Sequence, residues 1–233
     1  NTYQRKGDSE KIYGRPQTPE QFDEVSTNVE TWFGTRGISK QTLTDLQVTE
    51  GSEWMPQTTK NENTIQFNYF MGDQLINIKY RDGRKNFKLY KGAEKVFYNI
   101  NSVVGYDWCV VVEGEMDVLA LHEAGIKNAI SVPNGATLNS NNLDYLDNCI
   151  DYLDDKVKIV LAVDADEAGQ ALRQEFIRRL GAEVCFLVDF NGQKDANEYL
   201  VENGAAALRD AIHAATQVPL EGVTTLYDIQ DEV

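Results

Sequence analysis

Two short runs constrain this chain more than anything else in it. Val110-Val111-Val112 ends in Glu113-Gly114-Glu115-Met116-Asp117, and Ile159-Val160-Leu161-Ala162-Val163 ends in Asp164-Ala165-Asp166. Neither run alternates polar with apolar residues. An unbroken β-branched or aliphatic stretch of this length reads as a strand buried on both faces, which is the setting of a parallel sheet. Open α/β sheets place their ligands in a crevice at the carboxyl ends of the strands, so the acids of both runs are expected to enter one crevice. A carboxylate ending a buried strand carries a desolvation cost unless a cation meets it, and the pattern therefore points to a divalent metal. Asp164 and Asp166 are two apart, so extended chain presents them to one side, and Glu113 joins them from the other strand. Hard oxygen donors without His or Cys favour Mg²⁺ or Mn²⁺ over zinc.

From Asp107 onward strands and helices alternate. Strands are expected over 108–112, 129–132, 158–163 and 183–188. Helices are expected over 116–124, 143–153, 168–180, 196–201 and 205–214, with Gly125 and Gly181 as stops. This order means an α/β domain with a mostly parallel sheet flanked by helices. Lys194-Asp195-Ala196-Asn197-Glu198 opens a helix after the fourth strand, where Asp195 adds a ligand and Lys194 a phosphate contact. The bland alternative is an ordinary helix start with acids favouring the dipole.

The front of the chain has a different period. Residues 1–21 are polar and read as a tail. Val25, Val29, Trp32 and Phe33 are spaced as a helix, and Ser39 caps a second one ending near Leu46. Ile65, Phe67 and Tyr69, then Ile76, Ile78 and Tyr80, alternate around Gly72-Asp73 as a hairpin; a third strand covers 85–90. Phe87 and Phe97 are read as core.

Charge sharpens this picture. The 233 residues carry a net −15, unpromising for a partner of polyanions. Yet residues 79–95 hold Lys79, Arg81, Arg84, Lys85, Lys88, Lys91 and Lys95 against Asp82 and Glu94, a local +5 on a remainder of −20. One basic face on an acidic body suits nucleic acid, with aromatics interleaved for stacking. With 42% hydrophobic residues, the chain can build one large or two modest domains. No apolar run approaches a membrane span and no signal peptide is read; Cys109, Cys149 and Cys185 are far apart, which suits a reducing interior and gives no zinc ribbon. A cytoplasmic setting, in a bacterial or phage-infected cell, is expected. Asn1 at the front suggests a piece of a longer protein.

With these residues in order, the chain resembles the TOPRIM family. Val112-Glu113-Gly114-Glu115-Met116-Asp117 is similar to its Glu motif, and Asp164-Ala165-Asp166-Glu167-Ala168-Gly169 to its Asp-x-Asp motif. That motif, Lys194-Asp195-Ala196-Asn197-Glu198, Arg36-Gly37-Ile38-Ser39 and Asn86-Phe87-Lys88 resemble, more particularly, the primase half of phage-type, Twinkle-like primase–helicases. The resemblance covers roughly 25–216. It implies a TOPRIM fold over 107–216 behind a small basic α+β subdomain over 25–106, with a tail at 1–24 and, at 217–233, a linker toward a helicase domain. It implies a DNA primase making short RNA primers from nucleoside triphosphates on single-stranded DNA by Mg²⁺-dependent phosphoryl transfer. Glu113 would act in catalysis; Asp164 and Asp166 would hold metal, with Asp195 and Asp117 assisting. Lys88, Lys85, Lys91, Lys194 and Arg81 would contact nucleotide or template. The zinc-binding and helicase modules of such proteins are absent from this sequence and are the implied partners within one polypeptide. Two alternatives stay open: a non-catalytic DNA-binding and assembly module, and a TOPRIM nuclease that cuts without added nucleotides.

Overall fold

The computed structural model describes residues 12–135 and 143–219. The expectations for the tail at 1–11, for the turn beyond Gly135 and for the linker beyond Pro219 lie outside those residues.

The chain opens with α1 (Thr27–Gly34) and α2 (Lys40–Asp45). Ser26 and Ser39 cap them as side-chain acceptors, the role expected of Ser39. An antiparallel sheet follows in the order β1 (Thr49–Met55), β2 (Lys60–Met71), β3 (Gln74–Asp82), β4 (Phe87–Leu89). The hairpin around Gly72-Asp73 is the β2–β3 turn. β1 was not expected: Thr-Glu-Gly-Ser-Glu-Trp-Met has too few apolar residues to show a period. It pairs over seven residues with β2 at the sheet edge, where outward carboxylates such as Glu53 are favoured over apolar side chains.

The second sheet has β5 (Trp108–Val112), β6 (Ala129–Ser131), β7 (Lys158–Leu161), β8 (Cys185–Leu187) and β9 (Thr216–Gln217), in the order β6-β5-β7-β8-β9. All pairings are parallel except the last. Val110, Val111, Val112, Val160 and Leu161 are fully enclosed, as unbroken apolar runs require. Each such side chain stabilises the fold by about 1.5–3 kcal/mol. α3 (Glu115–Glu123) is buried around most of its circumference because it lies against the sheet, α2 and α6 (Ala196–His213) together. α5 (Glu167–Leu180) buries Gly169, Leu172 and Phe176. The long helix expected over 143–153 is instead α4 (Asp144–Asn148) followed by a 3-10 turn at Ile150–Tyr152. Asp144, Asp147 and Asn148 are weak helix formers, and Leu143 offers no capping oxygen. Gly204, at φ 85°, kinks α6 where two helices were expected. One core joins both sheets, from Phe67, Tyr69 and Tyr98 to Val111 and Phe176.

Candidate functional site

β5 and β7 are neighbours, and the chain leaves their carboxyl ends in opposite directions: from β5 to β6 on one side, from β7 to β8 on the other. That reversal opens a crevice between the two strand ends. Glu113 leaves β5 and Asp164 leaves β7, so the two apolar runs deliver their acids to one place.

Four of the five acids singled out from sequence each commit an oxygen to a backbone N–H. Glu113 Oε1 accepts from Asp164 N at 3.0 Å, Asp166 Oδ1 from Gly169 N at 3.0 Å, Asp195 Oδ1 from Glu198 N at 2.8 Å, and Asp117 Oδ1 from Asn197 N at 3.1 Å. Asp166 and Asp195 thereby cap α5 and α6. Asp164 instead pairs with Lys194, whose Nζ lies 2.9 Å from Asp164 Oδ2 and 3.5 Å from Asp166 Oδ2.

These groups also act on one another through their charges. Burial pushes the Asp117 carboxyl well above the ordinary range, and the charges of Asp195, Asp164 and Glu113 push it further. Burial also raises Asp164, against the pull of Lys194. Asp166, exposed and bonded to Gly169 N–H, is lowered. The hydrogen bond and charge of Asp164 raise Lys194. Among the described residues, no three His, Cys or carboxylate side chains stand close enough to form a finished ligand set. The donor chemistry nevertheless fits a hard divalent cation: oxygen only, several negative charges in mutual range, and one ammonium set against the Asp164–Asp166 pair. Gly169 brings the first turn of α5 onto these groups. A β-carbon there would lie 2.1 Å from the Asp164 carbonyl oxygen and 2.5 Å from Glu113 Oε1, so only glycine fits.

The antiparallel sheet reaches the crevice through a buried tether. Glu115 is 3% exposed, and its carboxylate receives Lys79 Nζ at 2.8 and 3.0 Å and the Tyr69 hydroxyl. It therefore fastens β2 and β3 to the head of α3, between Glu113 and Asp117. Next to Lys79 on the same sheet face, the Arg81 guanidinium stands 4.5 Å from the Trp32 ring, and Arg36 lies 5.4 Å from that ring. Burial lowers the Arg81 pKa, and the Arg36 charge adds to the effect. Among the described residues neither guanidinium has an ion-pair partner; the one hydrogen bond of Arg81 is a long one, 3.5 Å, to the Asp82 carbonyl. Arg81 borders a recess of about 230 Å³ that also includes Trp32, Asn63 and Asp82.

The other basic residues are placed differently. Lys88 Nζ reaches Glu53 at 2.7 Å and the Trp54 carbonyl at 2.6 Å. Lys85 and Lys91 are exposed. Phe97 is core as expected, but Phe87 is 43% exposed, with Lys79 and Arg81 stacked 5.4 and 6.0 Å from its ring. Strand β4 is a short edge strand and puts Phe87 on the outer face, which alternation alone does not show. Sequence reasoning gave no role to Glu115, Trp32 or Asn197. The Asn197 amide nitrogen donates to the Arg36 carbonyl at 2.9 Å, while its backbone N–H holds Asp117, so it joins the arginine turn to the acids. Non-local packing of this kind leaves no local signal, although the Arg36-Gly37 turn had been marked by resemblance.

The Toprim-like family profile matches residues 110–200. The Twinkle homolog protein, chloroplastic/mitochondrial, of Arabidopsis thaliana is 32% identical over 91% of this chain and 32% of its own length. The primase homolog protein of the same plant is 35% identical over 86% of this chain and 63% of its own length. The chain thus spans under two thirds of either relative. The crystal structure of the primase fragment of the bacteriophage T7 primase–helicase protein superposes with a TM-score of 0.68 at 22% identity, covering 90% of this chain and 83% of that one. The class is thereby defined: residues 110–200 are a Toprim-like domain. More particularly, the chain is related over most of its length to the Twinkle and primase homologues of Arabidopsis thaliana and shares the fold of the phage primase fragment.

Proposed function

We propose that this region is the catalytic part of a DNA primase, joining nucleoside triphosphates into a short RNA primer on a single-stranded DNA template. One observation carries the reading: an acid-lined crevice at the β5–β7 reversal, tethered by Glu115 to a sheet whose face bears the Arg81 guanidinium, with Arg36 beside the same indole. Asp164, Asp166 and Glu113, with Asp195 and Asp117 behind them, would hold Mg²⁺ or Mn²⁺. Bound there, such an ion supplies charge neutralisation of the triphosphate and eases attack by the primer 3′-hydroxyl. Glu113, steadied by the Asp164 N–H, is the group to accept that hydroxyl's proton. Arg81 and Arg36 would take phosphates while Trp32 and Phe87 offer faces for bases. Lys194 would meet the triphosphate, and the exposed Lys85 and Lys91, with Lys88, would lead the template in. Helicase and zinc-binding modules are the partners proposed within one polypeptide. Among the described residues no helix is long and apolar enough to cross a membrane.

The test is primer synthesis on single-stranded DNA by Asp164→Ala. Synthesis should fall by at least about 100-fold while the circular dichroism spectrum stays that of the parent. A fully active variant would sink the assignment. Cleavage of DNA by the parent without nucleotides would favour a nuclease instead.

A further inference from the structure

Lys194 occupies an unusual position for a residue expected only to touch phosphate. Its ammonium sits between the two aspartates of the Asp-x-Asp pair, and its backbone is fastened to the loop between them. Ala165 N donates to the Lys194 carbonyl at 3.2 Å, and Lys194 N donates to Glu198 Oε2 at 3.0 Å. The main chain is held from both sides, but the side chain is 51% exposed. It can leave into water by rotating its own four-carbon stem, with no change of fold.

We propose that Lys194 is an exchangeable internal counter-ion: it holds the Asp164–Asp166 pair in the metal-free chain, and a divalent cation enters by displacing it. This rests on the metal role given to those aspartates above. Two converging carboxylates repel each other when nothing stands between them. One ammonium leaves the trio at net −1; a divalent cation in its place brings the pair to neutrality and releases a positive charge at the mouth of the crevice. The freed ammonium is then in reach of the triphosphate that accompanies the metal. The lysine therefore sets a threshold: a monovalent ion gains nothing by replacing it, and a divalent ion gains one charge. If Lys194 served phosphate alone, its removal would leave metal binding unchanged in the absence of nucleotide.

The experiment is a Mn²⁺ titration of this chain, without DNA or nucleotide, read from the electron paramagnetic resonance signal of free aqueous Mn²⁺. Parent, Lys194→Met and Asp164→Asn are compared. Lys194→Met should bind Mn²⁺ about tenfold more tightly than the parent, because a competing charge is gone. Asp164→Asn should bind it far more weakly. In differential scanning fluorimetry, Mn²⁺ should raise the melting temperature of Lys194→Met more than that of the parent. Equal or weaker binding by Lys194→Met, with binding lost in Asp164→Asn, overturns the exchange and leaves the metal site standing. Absence of Mn²⁺ binding in parent and Lys194→Met alike overturns both.

Discussion

Two lysine–carboxylate pairs flank the same crevice, and they differ in little but water. Lys79–Glu115 closes at 2.8 Å and Lys194–Asp164 at 2.9 Å. The side chains of the first pair are 11% and 4% exposed, those of the second 51% and 14%. The first fastens the antiparallel sheet to the head of α3 from inside, with a tyrosine hydroxyl donating to the same carboxylate. The second joins two loops at an opening. Attraction is similar in kind, but the buried ions cannot separate without losing their only solvation, whereas the exposed ammonium trades one bath for another. Geometry alone would rank them as equals; solvent access assigns one to architecture and the other to exchange.

The largest break in this comparison comes from Glu115→Ala. It strands the Lys79 ammonium and the Tyr69 hydroxyl inside the protein, and the expected loss is about 3–5 kcal/mol in urea unfolding. A loss below about 1 kcal/mol would show that the sealed pair is no tether. A smaller effect separates the two pairs by salt. Lys194→Met should change metal-free stability by no more than about 1 kcal/mol, and that difference should vanish in 1 M NaCl, where the screening length is about 3 Å. The deficit of Glu115→Ala should persist in the same salt. Persistence for both, or disappearance for both, would remove the distinction.

The buried thiols check how completely the core beside the crevice excludes water. Burial pushes the Cys109 and Cys149 thiols up to about 12 and Cys185 up to about 11. At pH 8 all three are protonated in the native chain, and iodoacetamide should label none until urea is added. An unfolded thiol ionises near 8.5. The native state thus binds more protons above that pH, and stability should fall as pH rises from about 8.5 toward 11–12. Melting temperatures at pH 8 and pH 10 would show it; a higher value at pH 10 would contradict the burial.

The distribution of what was legible follows from the same physics. Strands β5 and β7 were plain because burial on both faces forces an unbroken apolar run, and Asp164, Asp166 and Glu113 were plain because they end those runs. Helix starts at Ser39, Asp166 and Asp195 follow from capping chemistry, which is local. β1 was hidden because an edge strand can be polar, and Phe87 was misplaced because the short β4 gives alternation too few residues to register. Glu115 was invisible as a tether: nothing within several residues of it announces Lys79 or Tyr69, which arrive from another sheet. The basic segment told the sign of the charge but not its use, since Lys79 and Lys88 have carboxylate partners and Arg81 has an indole.

The aspartates at 166 and 195 have a consequence of another sort. Each begins a helix and faces the crevice with one carboxylate. Helix starts accept an amide as readily as an acid, while a hard cation does not. Given the metal role proposed for both, asparagine at either position would keep the instruction to fold and remove the ligand; alanine would remove both. The two messages overlap in one side chain yet remain separately erasable, so the protein's architecture and its reactivity are free to diverge by a single atom's exchange.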